Sequence, residues 1–223
     1  MLEAIICILH ISTMYIPTAF RVESPGKLAG LIRTHSFATL VTHDGQSSFA
    51  SHLPVLHHPN ADSHGVLLSH MARANPQWKH FANGQEVLVI FQGPHSYISP
   101  SWYQTPLAVP TWNYAVAHAY GIPEIISDQQ RLLELLQETI SIFETPLPEP
   151  WNGDLPAEFR DKLMQAIVGF EIRISRIEGK FKLGQNRSAE DSQGVYNALS
   201  NTADTDSRML AEMMLAEGIV RPA

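Results

Sequence analysis

Apolar and polar positions divide this chain into short β-type runs separated by helical stripes. Ser24-Pro25 reads as an N-cap followed by proline at the first helical position. Leu28, Leu31 and Ile32 continue it as a stripe that His35-Ser36 ends. Phe37 to Thr42 is a β-rich run, Asp44-Gly45 a hairpin turn, and Ser48 to Leu56 the return strand. His57 to His64 is polar and predicts a loop. Gly65 then opens a strand, Val66 to His70, and Asn75-Pro76 starts a helix that Asn83-Gly84 closes. Val87-Leu88-Val89-Ile90-Phe91 is a continuous apolar run of the central-strand kind, broken at Gly93-Pro94 and resumed from His95 to Ser99.

Pro110 to Tyr120 predicts a strand rich in aromatic and β-branched residues. Ser127 with Gln130 forms a capping box before a helix carrying Leu132, Leu133, Leu136, Ile140 and Phe143. Four prolines (Pro146, Pro148, Pro150, Pro156) make 145–156 a loop, and Ala157 to Met164 predicts a short helix. Val168 to Ile177 alternates as a half-buried strand. Ser188 with Asp191 caps another helix, and Asp206 to Glu217 is the last. Six or more strands with antiparallel signals, with helices between and after them, predict an α+β fold; ring closure would remove the edges of such a set.

Composition narrows the class. Hydrophobic residues at 44% and charged residues at 17% suit a single globular domain and argue against disorder. The formal net charge is −7, with 15 scattered Lys and Arg and no basic run, so direct DNA contact is disfavoured. Cys7 is the single cysteine, which rules out an internal disulfide or a cysteine-rich zinc site and points to the cytoplasm. Residues 1–13 form an apolar run too short to span a bilayer, with Glu3 where a signal peptide would carry a base. They read as an extension: an added element, or an over-extended start with Met14 as the initiator.

Three segments carry candidate chemistry. The first is Ser69-His70-Met71-Ala72-Arg73-Ala74-Asn75-Pro76, where a capped helix start with Arg73 before it suits an anion; an ordinary capped helix fits the same pattern. The second, Lys180 to Ser188, places the amides of Gln185 and Asn186 where they could meet a polar ring edge, or lie in a plain surface loop. The third is the aromatic tract around Trp102-Tyr103 and Thr111-Trp112-Asn113-Tyr114, a ligand wall or core. Eleven histidines raise a metal or haem site, yet HExxH spacing is absent, as is a GxSxG elbow, and the metal expectation is none.

Several of these segments in this order resemble the PaiB-like family of FMN-binding transcriptional regulators. The resemblance rests on Met14-Tyr15-Ile16-Pro17, Phe37-Ala38-Thr39-Leu40-Val41, Ser51-His52-Leu53-Pro54 and Gly65 to Trp78. It continues through Tyr97 to Tyr103, Val109 to Tyr114 and Lys182 to Arg187, and covers about 14–218, leaving 219–223 as a tail. It implies a split β-barrel of Greek-key type with flanking helices and a helical C-terminal tail, similar to pyridoxamine-phosphate oxidases. It implies FMN at the interface of a homodimer, and it favours Met14 as the start. Ser51, His52 and Leu53 would face the flavin ring. Ser69, His70, Met71, Ala72 and Arg73 would run beside the ribityl chain and phosphate, with Asn75 capping the helix there. Thr111 and Trp112 would reach the flavin from the other copy, and Gln185 and Asn186 would meet its polar edge or phosphate. Gly184 departs from the serine expected of close relatives. The implied function is a flavin-dependent regulator or sensor. A flavin reductase or oxidase and a haem-binding split barrel are the alternatives, and no catalytic acid or base stands out.

Overall fold

The structure, a computed structural model, describes residues 14–60 and 63–221. The extension read at 1–13 lies outside the described residues, as do the last two positions of the 219–223 tail. A 3-10 turn, Thr18–Phe20, leads into a two-residue strand β1 (Arg21–Val22) and helix α1 (Pro25–Thr34). Strands β2 (Phe37–His43), β3 (Ser48–Asn60) and β4 (Ser63–Ala72) follow, then a 3-10 helix, Pro76–Asn83, and β5 (Val87–Ile98). After a 3-10 turn at Pro100–Trp102 come β6 (Thr111–Ile125), α2 (Gln129–Glu144), α3 (Ala157–Gln165) and β7 (Ile167–Lys182). Helices α4 (Ala189–Ser200) and α5 (Thr205–Ala216) complete the chain.

The strands run β1-β7-β4-β3-β2-β5-β6, all antiparallel, and β6 pairs back onto β7. That last ladder closes a ring, so the α+β barrel read from the pattern stands. The interior is apolar because alternate strand residues turn inward: Leu40, Phe91, Ile98, Phe170 and Ile172 are almost fully buried, together with Ile32 of α1 and Leu210 and Met214 of α5. A second, smaller core joins Leu56 and Leu68 to Leu132 and Leu135 of α2 and Met164 of α3. Among the described residues, no helix is long and apolar enough to cross a membrane.

Four local readings need correction. The predicted loop at 57–64 is largely strand, with His57 opposite Leu67 and His58 opposite Val66, because ladder bonds use the backbone whatever the side chain. Gly93-Pro94 does not break β5; a bulge between Gln92 and His95 absorbs it. The helix read from Pro76 is present as a 3-10 helix, Pro76–Asn83, closed by Gly84. Asp128, not Ser127, caps α2, accepting from the Arg131 amide at 2.8 Å. β7 runs on to Lys182, so Lys180 and Lys182 belong to a strand rather than a surface loop.

Candidate functional site

The residues read as a site fall into two groups. The first lies where β3 and β4 approach the 3-10 helix at Pro76. Ser51 and Leu53 share one face of β3: Leu53 packs on the core, and Ser51 Oγ accepts from Asn75 Nδ2 at 2.8 Å. His52 points to the other face, exposed, hydrogen-bonded through Nδ1 to Thr39 Oγ1 at 3.0 Å and stacked on Phe37 at 6.4 Å. The side chains of the three therefore do not share one face of the strand. Asn75 caps its helix by accepting from the Gln77 amide at 3.0 Å. Gln77 itself is buried, and its Nε2 lies 3.0 Å from the Leu40 carbonyl, which pins the helix to the β2–β3 hairpin.

Along β4, Ser69 is buried and donates to the Pro54 carbonyl at 2.6 Å, and Met71 is core. His70 is half-buried, and its burial holds the imidazole below its usual pKa, in the neutral form. Ala72 is exposed at the strand end. Arg73 is latched to the start of β7: its amide donates to Ala166 at 2.8 Å, Nε to Gln165 and Nη2 to Ile167, each at 2.7 Å. The Asn75 amide donates to Ala72 at 2.9 Å. The loop thus offers an anion fewer free backbone donors than its sequence suggests.

The second group lies at the other end of the β6–β7 ladder, where Tyr114 faces Lys182. Trp112 is 51% exposed, its ring 6.2 Å from His95 and 6.1 Å from Tyr97, so it is a wall and not core. Thr111 Oγ1 and the Trp112 carbonyl both accept from Lys182 Nζ, the latter at 2.7 Å. Gln185 spends its amide on its own turn, accepting from the Leu183 amide at 2.7 Å and donating to the Phe181 carbonyl. Asn186 is exposed beside it. Gly184 has φ of +89°, a conformation that strains any residue with a Cβ, so serine would fit poorly here. Lys182 and Arg187 join this group although the sequence pattern marks only the amides of Gln185 and Asn186 within the same segment. The signal was present in the alternation of Lys180 and Lys182, but it shows only once β7 is known to extend that far.

A cavity of about 890 Å³ lies apart from the second group, between α2, α3 and the proline-rich 145–156 segment. It is lined by Leu136, Ile140, Trp151, Leu163 and Ile167, and it reaches the first group at Ala72. Among the described residues, no three His, Cys, Asp or Glu side chains gather as metal ligands.

Comparison with known proteins gives the family and the fold. Residues 14–176 match the model of the FMN-binding domain family FMN_bind_2. The chain is 36% identical over 202 residues to the protease synthase and sporulation protein PAI 2 of Bacillus subtilis, covering 90% of this chain and 96% of that one. The fold resembles that of the flavocytochrome Anf3 from Azotobacter vinelandii, with a TM-score of 0.56 at 13% identity over 74% of this chain and 70% of that one. It also resembles an FAD and heme binding protein from Mycobacterium smegmatis, with a TM-score of 0.54 at 16% identity over 78% of each chain. The fold is that of the flavin-binding split barrels; the chain belongs to the FMN_bind_2 family of FMN-binding domains, in its PaiB-like branch, and FMN is its cofactor.

Proposed function

We propose that the protein works as a homodimer that holds FMN between its two copies and serves as a flavin-dependent regulator or sensor. One observation carries the arrangement: the two groups of site residues stand at opposite ends of one ladder. Ser69 of the first group sits opposite Phe170, whereas the second group surrounds Lys182. Phe170 and Lys182 are twelve positions apart along β7, roughly 40 Å of strand at the usual rise per residue. A single flavin reaches both groups only if a second copy turns its Lys182 end toward the first copy's Ser69 end, as a two-fold axis would do.

The outer face of the barrel supports such pairing. Val41 faces Leu88, Thr39 faces Ile90 and Gln92 faces Val116 across adjacent strands, and these positions alternate with the buried core set. Phe37 at 71% exposure, Trp112 and Tyr97 extend the apolar surface.

The residues present fit FMN. Lys182, Arg187 and the Nη1 of Arg73, which has no partner among the described residues, offer cations to a phosphate, Trp112 offers a flat wall, and Asn186 and His70 offer polar atoms. Bound FMN supplies electron transfer, and the protein sets its position and surroundings. The regulator reading rests on the PaiB-like resemblance along nearly the whole chain. The net charge of −7 favours action through a partner protein or through metabolism over direct DNA contact, and the single cysteine supports a cytoplasmic setting. A flavin-dependent oxidoreductase is the second reading, favoured by the neutral, half-buried His70 imidazole beside the proposed flavin path.

Light scattering with absorbance on protein reconstituted with FMN tests the arrangement. We expect two chains and two flavins per particle, and Trp112→Ala to lower flavin occupancy. A monomer that takes up one full equivalent of FMN would overturn it, and tight sequence-specific DNA binding at low salt would overturn the charge argument.

A further inference from the structure

The cavity of about 890 Å³ beside α2 and α3 has no part in the flavin reading. Small-molecule sites commonly measure about 300–1,000 Å³, so its size suits one. Its lining is mostly apolar. Leu136 and Ile140 come from α2, Leu163 from α3 and Trp151 from the proline-rich loop. Trp151 and Leu163 are 46% and 48% exposed. Apolar side chains gathered around a concavity, rather than scattered singly, mark a ligand groove or an interface.

The chain itself holds the walls in place. The Trp151 amide donates to Glu144 Oε2 at 2.7 Å and the Leu147 amide to the Glu144 carbonyl at 2.9 Å, which ties the loop back to the end of α2. Asn152 Oδ1 accepts from the Asp154 amide at 3.0 Å, and Gly153 turns the chain with φ of +78°. Ala166 and Ile167, also in the lining, have carbonyls that Arg73 holds.

Charge decides what fits. Arg160 is the cation of the lining, and it is bound to Asp161 at 2.9 Å. Glu144 and Asp154 are its acids; the first accepts from the Trp151 amide and the second from Asn152 Nδ2 at 2.8 Å. Neither an anion nor a cation would find a cluster of opposite charge here. One polar group lies close to the lining. His70 is two positions from Ala72, on the same face of β4 and about 7 Å along it. Its imidazole is half-buried and has no hydrogen-bond partner among the described residues. Burial keeps it neutral, so it offers one donor and one acceptor.

We propose that this cavity binds a second small molecule, uncharged and largely apolar, with a carbonyl or hydroxyl group directed at His70. The inference goes beyond the flavin reading and requires neither bound FMN nor a homodimer.

A matched pair of probes tests the charge class. N-phenyl-1-naphthylamine and its 8-sulfonate share one aromatic skeleton and differ by one negative charge. Each is offered to the protein in equilibrium dialysis with FMN in excess. We expect one uncharged probe per chain and uptake of the sulfonate weaker by about tenfold or more. Trp151→Ala and Leu163→Glu should each weaken the uncharged probe about tenfold. Ile142→Glu, on α2 but outside the lining, should leave it unchanged. All three side chains are nearly half exposed, so urea midpoints should stay near wild type. Benzophenone should displace the probe better than diphenylmethane, and His70→Phe should abolish that difference. The proposal is overturned if the two probes bind alike, if the two competitors act alike on the wild type, or if Ile142→Glu acts as strongly as Leu163→Glu. Displacement of the probe by FMN, mole for mole, would give the cavity to the flavin. A halved mass of Leu163→Glu in light scattering would make this face an interface between copies. Either result also overturns the proposal, whereas failure to bind FMN would overturn the flavin reading alone.

Discussion

Arg73 donates from Nε and Nη2 to two successive stretches of main chain, at Gln165 and Ile167, although its side chain is exposed. The planar fork suits this; an ammonium on a flexible stem cannot reproduce it. Arg73→Lys should therefore lower stability by about 1–2 kcal/mol, discounted for exposure, because charged donors to carbonyls are lost. Urea unfolding measures it. FMN affinity should fall less than tenfold if the latch is its main task, and a larger fall would make Arg73 a direct phosphate ligand. Sequence placed Arg73 before a helix start and suggested an anion. It could not show the carbonyls of a segment more than ninety positions away, which use up part of that donor set. The same gap hid the partners of Lys182, about seventy positions away; Gln185 was hidden for a different reason, because its amide closes on its own turn at Phe181 and Leu183 rather than facing outward.

At the scale of elements, what the sequence revealed was local. Ser24 and Ser188 cap their helices as read, accepting from Lys27 and Asp191 amides at 3.5 and 3.1 Å, because a cap needs only its next three residues. Strand lengths were not local. β3 and β4 run on through histidines and a proline because each finds its partner across the hairpin, and β7 runs on through Glu178 and two lysines because β6 is there. Helix α4 shows how packing reverses a propensity. Alanine in place of glycine inside a helix normally adds up to about 1 kcal/mol. A Cβ at Gly194, however, would stand 2.1 Å from the Trp102 carbonyl oxygen. Gly194→Ala should therefore destabilise, by about 1–3 kcal/mol through overpacking, with a lower urea midpoint. A midpoint at or above wild type would mean that α4 moves off the Pro100–Trp102 turn without cost.

For the whole molecule, titration sets the range of stable pH. Burial holds His35, His57, His70 and His118 below their usual pKa. The unfolded chain binds protons at about pH 6.5, where these folded imidazoles stay neutral. Their contribution is full above that value and is lost as pH falls through the lower folded values. The carboxyl of Asp191 is held low first by the Thr105 hydroxyl and then by the Thr105 amide, while that of Asp204 is held low by Ser207. Their contribution is present above about pH 4 and is lost below it. Urea midpoints should thus be level around pH 7 to 8, decline below about 6.5 and drop again below about 4. A level midpoint from pH 8 to 5 would contradict the histidine assignment.

β7 has one more consequence, in the order of synthesis. It is the common partner of β1, β4 and β6, and everything before Ile167 leaves the ribosome without it. A nascent chain ending there carries β4 and β6 with open edges, the kind of surface that pairs with another chain. Ring closure is therefore a late event in translation, and chains interrupted before β7 are the ones that would need a chaperone.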